Sequence, residues 1–149
     1  MGVLPVNLTD LVPIANSAWD AAAKAWAFDA GKAIAERATA INAACAAAIV
    51  GGFSSSALGA AYSYDSAIED QLNLIGATAA NIDMPYPCTD SAGVKAEIIH
   101  SALQIKTVLD AGLVFKSTQL SKARALKVQL NALSASPSTS QADMDSIIW

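Results

Sequence analysis

The chain is poor in the side chains that usually carry chemistry. Its 149 residues include one histidine, His100, and two cysteines, Cys45 and Cys88. A metal site needs His, Cys or carboxylate ligands clustered at short fixed spacings, and no CxxC, HxxxH or HExxH segment occurs. Neither a metal nor another cofactor is therefore expected. The two cysteines could form one disulfide, but nothing requires it. Cys45 lies in an alanine run and reads as a small buried hydrophobe, while Cys88 lies in the turn-rich Pro85-Tyr86-Pro87-Cys88-Thr89-Asp90. Charged residues make up only 15% against 54% hydrophobic, which excludes a disordered chain. Gly51-Gly52 follows no strand and has no lysine placed for phosphate, so it is not a phosphate cradle. Cys88 and His100 are a nucleophile–base pair on paper; alternatively, His100 stands at a helix start and hydrogen-bonds a preceding hairpin. Glu69 and Asp70 are adjacent and point to different faces of a helix, so they do not form an acid–base pair. No catalytic residue is assigned, and an enzyme is not expected.

What the chain has in abundance is alanine, 33 residues of 149. Alanine is the best helix former, since it loses no side-chain entropy in a helix. It also buries little apolar area, so its helices must pack closely. An all-β sandwich is excluded as the main architecture. The formal charge of −4 is unevenly spread: residues 1–90 carry nine acidic and three basic side chains, and residues 91–134 carry two and six. The basic set (Lys95, Lys106, Lys116, Lys122, Arg124, Lys127) is thin for nucleic acid and lacks interleaved aromatics. A solvated helix face or charge pairing between halves or subunits fits it better. The uncharged stretch Ala38–Phe53 falls short of the ~20 residues of a membrane span, and no secretory leader is read at the start.

Residues 1–13 read as an extended arm, because Pro5 and Pro13 forbid a continuous helix there. From Asn16 or Ser17 to about residue 50 the spacing predicts one long helix, with Asp20 in its first turn. Trp19 and Trp26 are seven apart, as are Ile34, Ile41 and Ala48, with Ala38 and Cys45 between. This is the 3–4 spacing of a coiled-coil seam. Gly31 interrupts it and Gly51-Gly52 ends it. The partner of such a helix is either a second helix of the same chain or identical copies.

Tyr62 and Tyr64 alternate with small residues, as in a short strand. Ser66-x-x-Glu69 predicts a capping box opening a helix over 67–80, with Ile68, Leu72 and Ile75 on one face. Residues 84–97 read as a hairpin turning at Asp90–Gly93, its first strand weakened by two prolines. Ile98, Ala102, Ile105 and Leu109 resume a helical period to about residue 134, as one helix kinked at Gly112 or as two. Residues 134–149 read as a polar linker with an apolar tip. The expected fold class is mainly α (α+β): a long N-terminal helix, a short strand and hairpin in the middle, and a C-terminal helix or helix pair. Its helices are expected to form an oligomeric coiled coil or bundle.

One ordered set of residues carries a family likeness. Glu36-Arg37 and Ile41-Asn42 precede Gly52-Phe53-Ser54-Ser55-Ser56-Ala57-Leu58-Gly59. Tyr64-Asp65-Ser66, Asp70-Gln71-Leu72-Asn73-Leu74, Cys88-Thr89-Asp90-Ser91-Ala92-Gly93, His100 and Gln104 follow. Over about Arg37–Leu133 this resembles the domain of unknown function 4376 found in phage tail-fibre assembly proteins. The domains read accordingly as 1–13 arm, 14–36 first part of the oligomerisation helix, 37–133 fibre-assembly-like domain, and 134–149 linker and tip. The resemblance implies a chaperone-type protein that binds the tail fibre and assists its trimerisation or attachment. The alternative it implies is a structural component of the fibre or baseplate. The implied partners are a fibre or baseplate protein and copies of the chain itself, a trimer matching a trimeric fibre. The place of action would be the virion tail, or the host cytoplasm during assembly.

The candidate partner-binding residues are Tyr62, Tyr64 and Tyr86, Asp70, Gln71 and Asn73, and the tip Ile147, Ile148 and Trp149. Tyrosine suits interfaces with one dry and one wet end; local core packing is the competing reading. The polar trio either caps adjoining turns and ties hairpin to helix or bonds a partner's backbone. The tip either docks on a partner or folds onto its own domain.

Overall fold

In a computed structural model, residues 15–149 apart from 24 and 137 are described. The arm expected over 1–13 lies outside the described residues. The elements are strands β1 (Ser17–Asp20) and β2 (Ala25–Phe28), helix α1 (Ala30–Val50), strands β3 (Phe53–Ser55) and β4 (Tyr62–Tyr64), helix α2 (Ile68–Ala80), strands β5 (Met84–Thr89) and β6 (Lys95–His100), and helices α3 (Ala102–Ser134) and α4 (Gln141–Asp145). The described residues divide into two compact units, 15–41 with 125–149, and 42–124.

This is a mixed α/β fold with two antiparallel sheets, β1-β2 and β3-β4-β5-β6, and it corrects the mainly helical expectation. Among the described residues no coiled coil is evident. The long helix expected from residue 17 begins instead at Ala30, where the Asp29 side chain caps it by accepting the Lys32 N–H at 3.0 Å. Residues 17–28 are a hairpin in which Trp19 stands directly opposite Trp26. Their rings meet edge to face with centroids 5.8 Å apart. Asp20 does not open a helix; its carboxylate accepts the N–H groups of Ala22 and Ala23 and starts the turn. Aromatic residues favour strands, where such cross-strand pairs form.

In the first unit, Ala33, Leu130, Met144 and Ile147 are buried. The Asn16 amide lies between the Glu36 carboxylate and the Gln141 side-chain amide. Arg37 donates to Asp145 at 2.6 Å, and Gln141 donates to the same carboxylate at 2.9 Å. Ser140 and Asp143 form a capping box at α4.

In the second unit, Gly52 (φ +95°) turns the chain out of α1 into β3, with the Tyr64 carbonyl 3.1 Å from where a Cβ would sit. The expected box at Ser66 and Glu69 is not made. Ser66 instead donates to the Ile49 carbonyl at 2.6 Å and accepts the Gly52 N–H at 2.8 Å, latching the end of α1 to the start of α2. Asp70 takes the capping role, accepting the Ala67 N–H at 3.0 Å. A full box forms at α3: Ser101 accepts the Gln104 N–H, and Gln104 accepts the Ser101 N–H. Strands β5 and β6 pair over six positions despite Pro85 and Pro87, whereas β4 meets β5 at Ser63↔Thr89. Proline has no N–H to donate, and the sparse β4 side is where its absence is tolerated.

Helix α3 runs unbroken through Gly112. A Cβ at Gly112 would lie 2.9 Å from the Phe53 ring, so the glycine admits that ring. The core joins Phe53, Tyr64, Leu74, Ala77, Tyr86, Cys88, Ile105 and Val108. Helix α1 spans 21 residues, with mean hydropathy 1.3 in an 18-residue window, long and apolar enough to cross a membrane by length and composition. Ile41 and Cys45 on it are buried.

Candidate functional site

Three neighbouring strands deliver the polar and aromatic centre of the second unit. Alternate residues of a strand face one side, so β4 turns Tyr64 inward, β5 turns Tyr86 and Cys88 inward, and β6 ends on His100. His100 is fully buried. Its Nδ1 lies 2.7 Å from the Ile98 carbonyl and its Nε2 lies 2.9 Å from the Tyr64 hydroxyl. A carbonyl only accepts, so the proton sits on Nδ1 and Nε2 accepts from Tyr64. Tyr64 and Tyr86 both present their rings edge-on to the imidazole, and Phe53 stacks on Tyr64 and on Phe115.

This centre is closed chemistry. Burial pushes the Tyr64 hydroxyl well above the ordinary tyrosine range, reinforced by the neighbouring Cys88 and Tyr62. Burial, with the charges of Asp70 and Asp65, pushes Tyr86 up to about 12. Burial also raises the Cys88 thiol, against a lowering hydrogen bond with Tyr64. A reactive thiol needs the opposite shift and access to solvent. Cys88 and His100 thus share the core that their sequence positions pointed to, bridged by Tyr64, but as packing residues. His100 also matches the plainer reading, a side chain at a helix start bonded to the hairpin. Among the described residues, each buried side-chain polar atom has a hydrogen-bond partner, and no group of three metal-ligating side chains is gathered.

The candidate binding residues part company. Tyr64 and Tyr86 are core, and Tyr62 packs at its edge. Asp70 caps α2. Gln71 donates to the Ser66 carbonyl at 2.8 Å and accepts from Lys116 at 3.1 Å, joining α2 to α3. Asn73 is exposed. At the tip, Ile147 is buried, Trp149 half-buried and Ile148 exposed.

The surface holds what the sequence reading missed. Ile68, Leu72 and Ile75, expected together on one face of α2, face solvent, while Leu74 and Ala77 are buried. Beside this stripe opens a cavity of about 110 Å³, lined by Phe53, Leu74, Ile75, Leu109, Leu113 and Lys116. The available signal was charge: no lysine or arginine occurs between Arg37 and Lys95, so the basic partners of this edge come from elsewhere in the chain, Lys95 at Asp65 and Lys116 at Gln71.

These features define a small mixed α/β domain with a sealed polar core and an apolar outer face. The chain belongs to the family described as Domain of unknown function (DUF4376), whose model matches residues 32–147. The match includes α4. Comparison with curated proteins and with solved structures finds no match.

Proposed function

We propose that this chain is a phage tail-fibre assembly protein that acts by binding rather than catalysis. It binds the fibre, assists its trimerisation or attachment, and works as a homo-oligomer, a trimer matching the fibre. It acts in the host cytoplasm during assembly or remains in the virion tail, and neither nucleic acid nor a membrane is its target. One observation supports this reading above the others: the polar groups fit for chemistry are sunk in the core, while a helix stripe of large apolar residues faces outward. Such a stripe marks an interaction site more often than scattered single residues do. The test is co-expression with and without the neighbouring fibre gene product. Fibre solubility and trimer yield are expected to rise with this chain present; unchanged yields sink the reading. Stoichiometric recovery of the chain from purified particles would favour a permanent structural component.

A further inference from the structure

We infer that the α2–α3 face of the second unit is the surface through which copies of this chain associate, α2 of one copy lying on α3 of the next. The inference rests on the self-association part of the reading above and not on the fibre. Ile68, Leu72 and Ile75 on α2 are 67%, 63% and 53% exposed, and Leu113 on α3 is 56% exposed. Ile75 and Leu113 line the same cavity, so the two helices present one continuous apolar groove. At on the order of 100 Å² each, three side chains from α2 of one copy and Leu113 from α3 of the next bring roughly 400 Å² together, an apolar centre for an interface whose rim is polar.

Charge selects the occupant. The α2 edge carries Glu69 and Asp70 with no basic residue on the helix, while Asp65 beside it is paired with Lys95. The α3 edge carries Lys116, which lines the groove and donates to Gln71, and Arg124 further along the helix, while Lys106 and Asp110 pair with each other. A groove with one acidic rim and one basic rim is complementary to itself. A second copy presents its basic α3 rim to the acidic α2 rim of the first while both apolar stripes are covered. A partner with one sign of charge would be repelled by one rim.

The experiment is light scattering after size exclusion on the full chain, beside a Leu72→Glu/Ile75→Glu double variant and a Val128→Glu control. Val128 is equally exposed on α3 but lies in the other unit. The wild type and the control are expected to be oligomeric and the double variant monomeric, with far-UV circular dichroism unchanged because both residues face solvent. Raising salt from ~0.05 to ~0.5 M is expected to weaken wild-type association severalfold, since exposed rim charges are screened. This second measurement needs no variant to fold. A monomeric wild type overturns the inference, as does an oligomer indifferent to both the double variant and salt. A chain that is monomeric alone yet raises fibre trimer yield would overturn it and leave the fibre-binding reading standing.

Discussion

Replacing Gly112 by alanine sets two effects of opposite sign against each other. Alanine in a helix interior is favoured over glycine by roughly 0.5–1 kcal/mol, because the unfolded glycine has more freedom to lose. Against that, the new methyl would lie 2.9 Å from Phe53 Cζ, 3.2 Å from Cε1 and 3.4 Å from Cε2. A flexible chain end would yield at little cost, but this ring is buried and stacked between Tyr64 at 5.8 Å and Phe115 at 6.4 Å. Overpacking of a closed core costs about 1–3 kcal/mol. The net expectation is a loss of about 1 kcal/mol, or roughly 2–4 °C in Tm for a chain of this length.

Gly76 supplies the control. It also lies inside a helix, α2, but an added Cβ there meets nothing within 4 Å. Gly76→Ala is therefore expected to stabilise by roughly 0.5–1 kcal/mol. Urea denaturation followed at 222 nm would read both variants. In a Phe53→Leu background the ring contact is gone, and Gly112→Ala should become neutral or stabilising. A Gly112→Ala protein stabilised as much as Gly76→Ala would refute the reasoning that Phe53 fixes this glycine.

Ser66→Ala removes both latch bonds, to the Ile49 carbonyl and from the Gly52 N–H; at about 0.5–1.5 kcal/mol per bond the loss is about 1–3 kcal/mol by urea titration, and a change within error would show that the latch carries no stability. A double-mutant cycle on Trp19 and Trp26 should give a coupling of about 0.5–1.5 kcal/mol, whereas two residues seven apart on a helix would sit about 10 Å apart and couple weakly. Tyr86 is raised from 10.0 to about 12, so the folded state holds that proton more tightly than the unfolded state. Its contribution is complete below pH 10 and is lost as pH climbs from 10 towards 12. Stability measured across that range should therefore fall more steeply for the wild type than for Tyr86→Phe, and parallel curves would contradict the shift.

The sequence was most readable where one period had one meaning. The C-terminal part of α1, the strand at Tyr62–Tyr64 and the hairpin about Asp90–Gly93 follow from their spacing and turn residues, whereas the helix expected from residue 98 begins at Ala102, because Ile98 belongs to β6. Residues 17–28 were misread because a separation of seven is shared by two geometries. It is a heptad step on a helix, and it is also the gap between directly opposed residues of a hairpin with Asp20↔Ala25 as its last pair. The alternation of small and aromatic residues, Ser17-Ala18-Trp19 and Trp26-Ala27-Phe28, was the signal that separates them. In α2 the ambiguity was of faces. Both Ile68-Leu72-Ile75 and Leu74-Ala77 are apolar stripes, and only tertiary packing decides which one is buried.

The candidate site was legible in part for the same reason. The β5–β6 register sets Cys88 opposite Ala96 and His100 opposite Met84, four positions apart, and Tyr64, which links them, comes from a strand one further along the sheet. Nothing local in the sequence links residue 64 to residue 100. Their meeting places the suspected nucleophile pair in the core: an imidazole with both nitrogens hydrogen-bonded and a thiol pushed up by burial. The charge asymmetry travels the other way, from a vague property of two halves to a local one. It follows α2 and α3, the two helices that border the exposed stripe. An apolar stripe alone would attract any hydrophobic surface, including the wrong one. Opposite charges on its two rims penalise partners that lack the matching pair, so the acidic and basic halves of this chain act as selectors for what the stripe may bind.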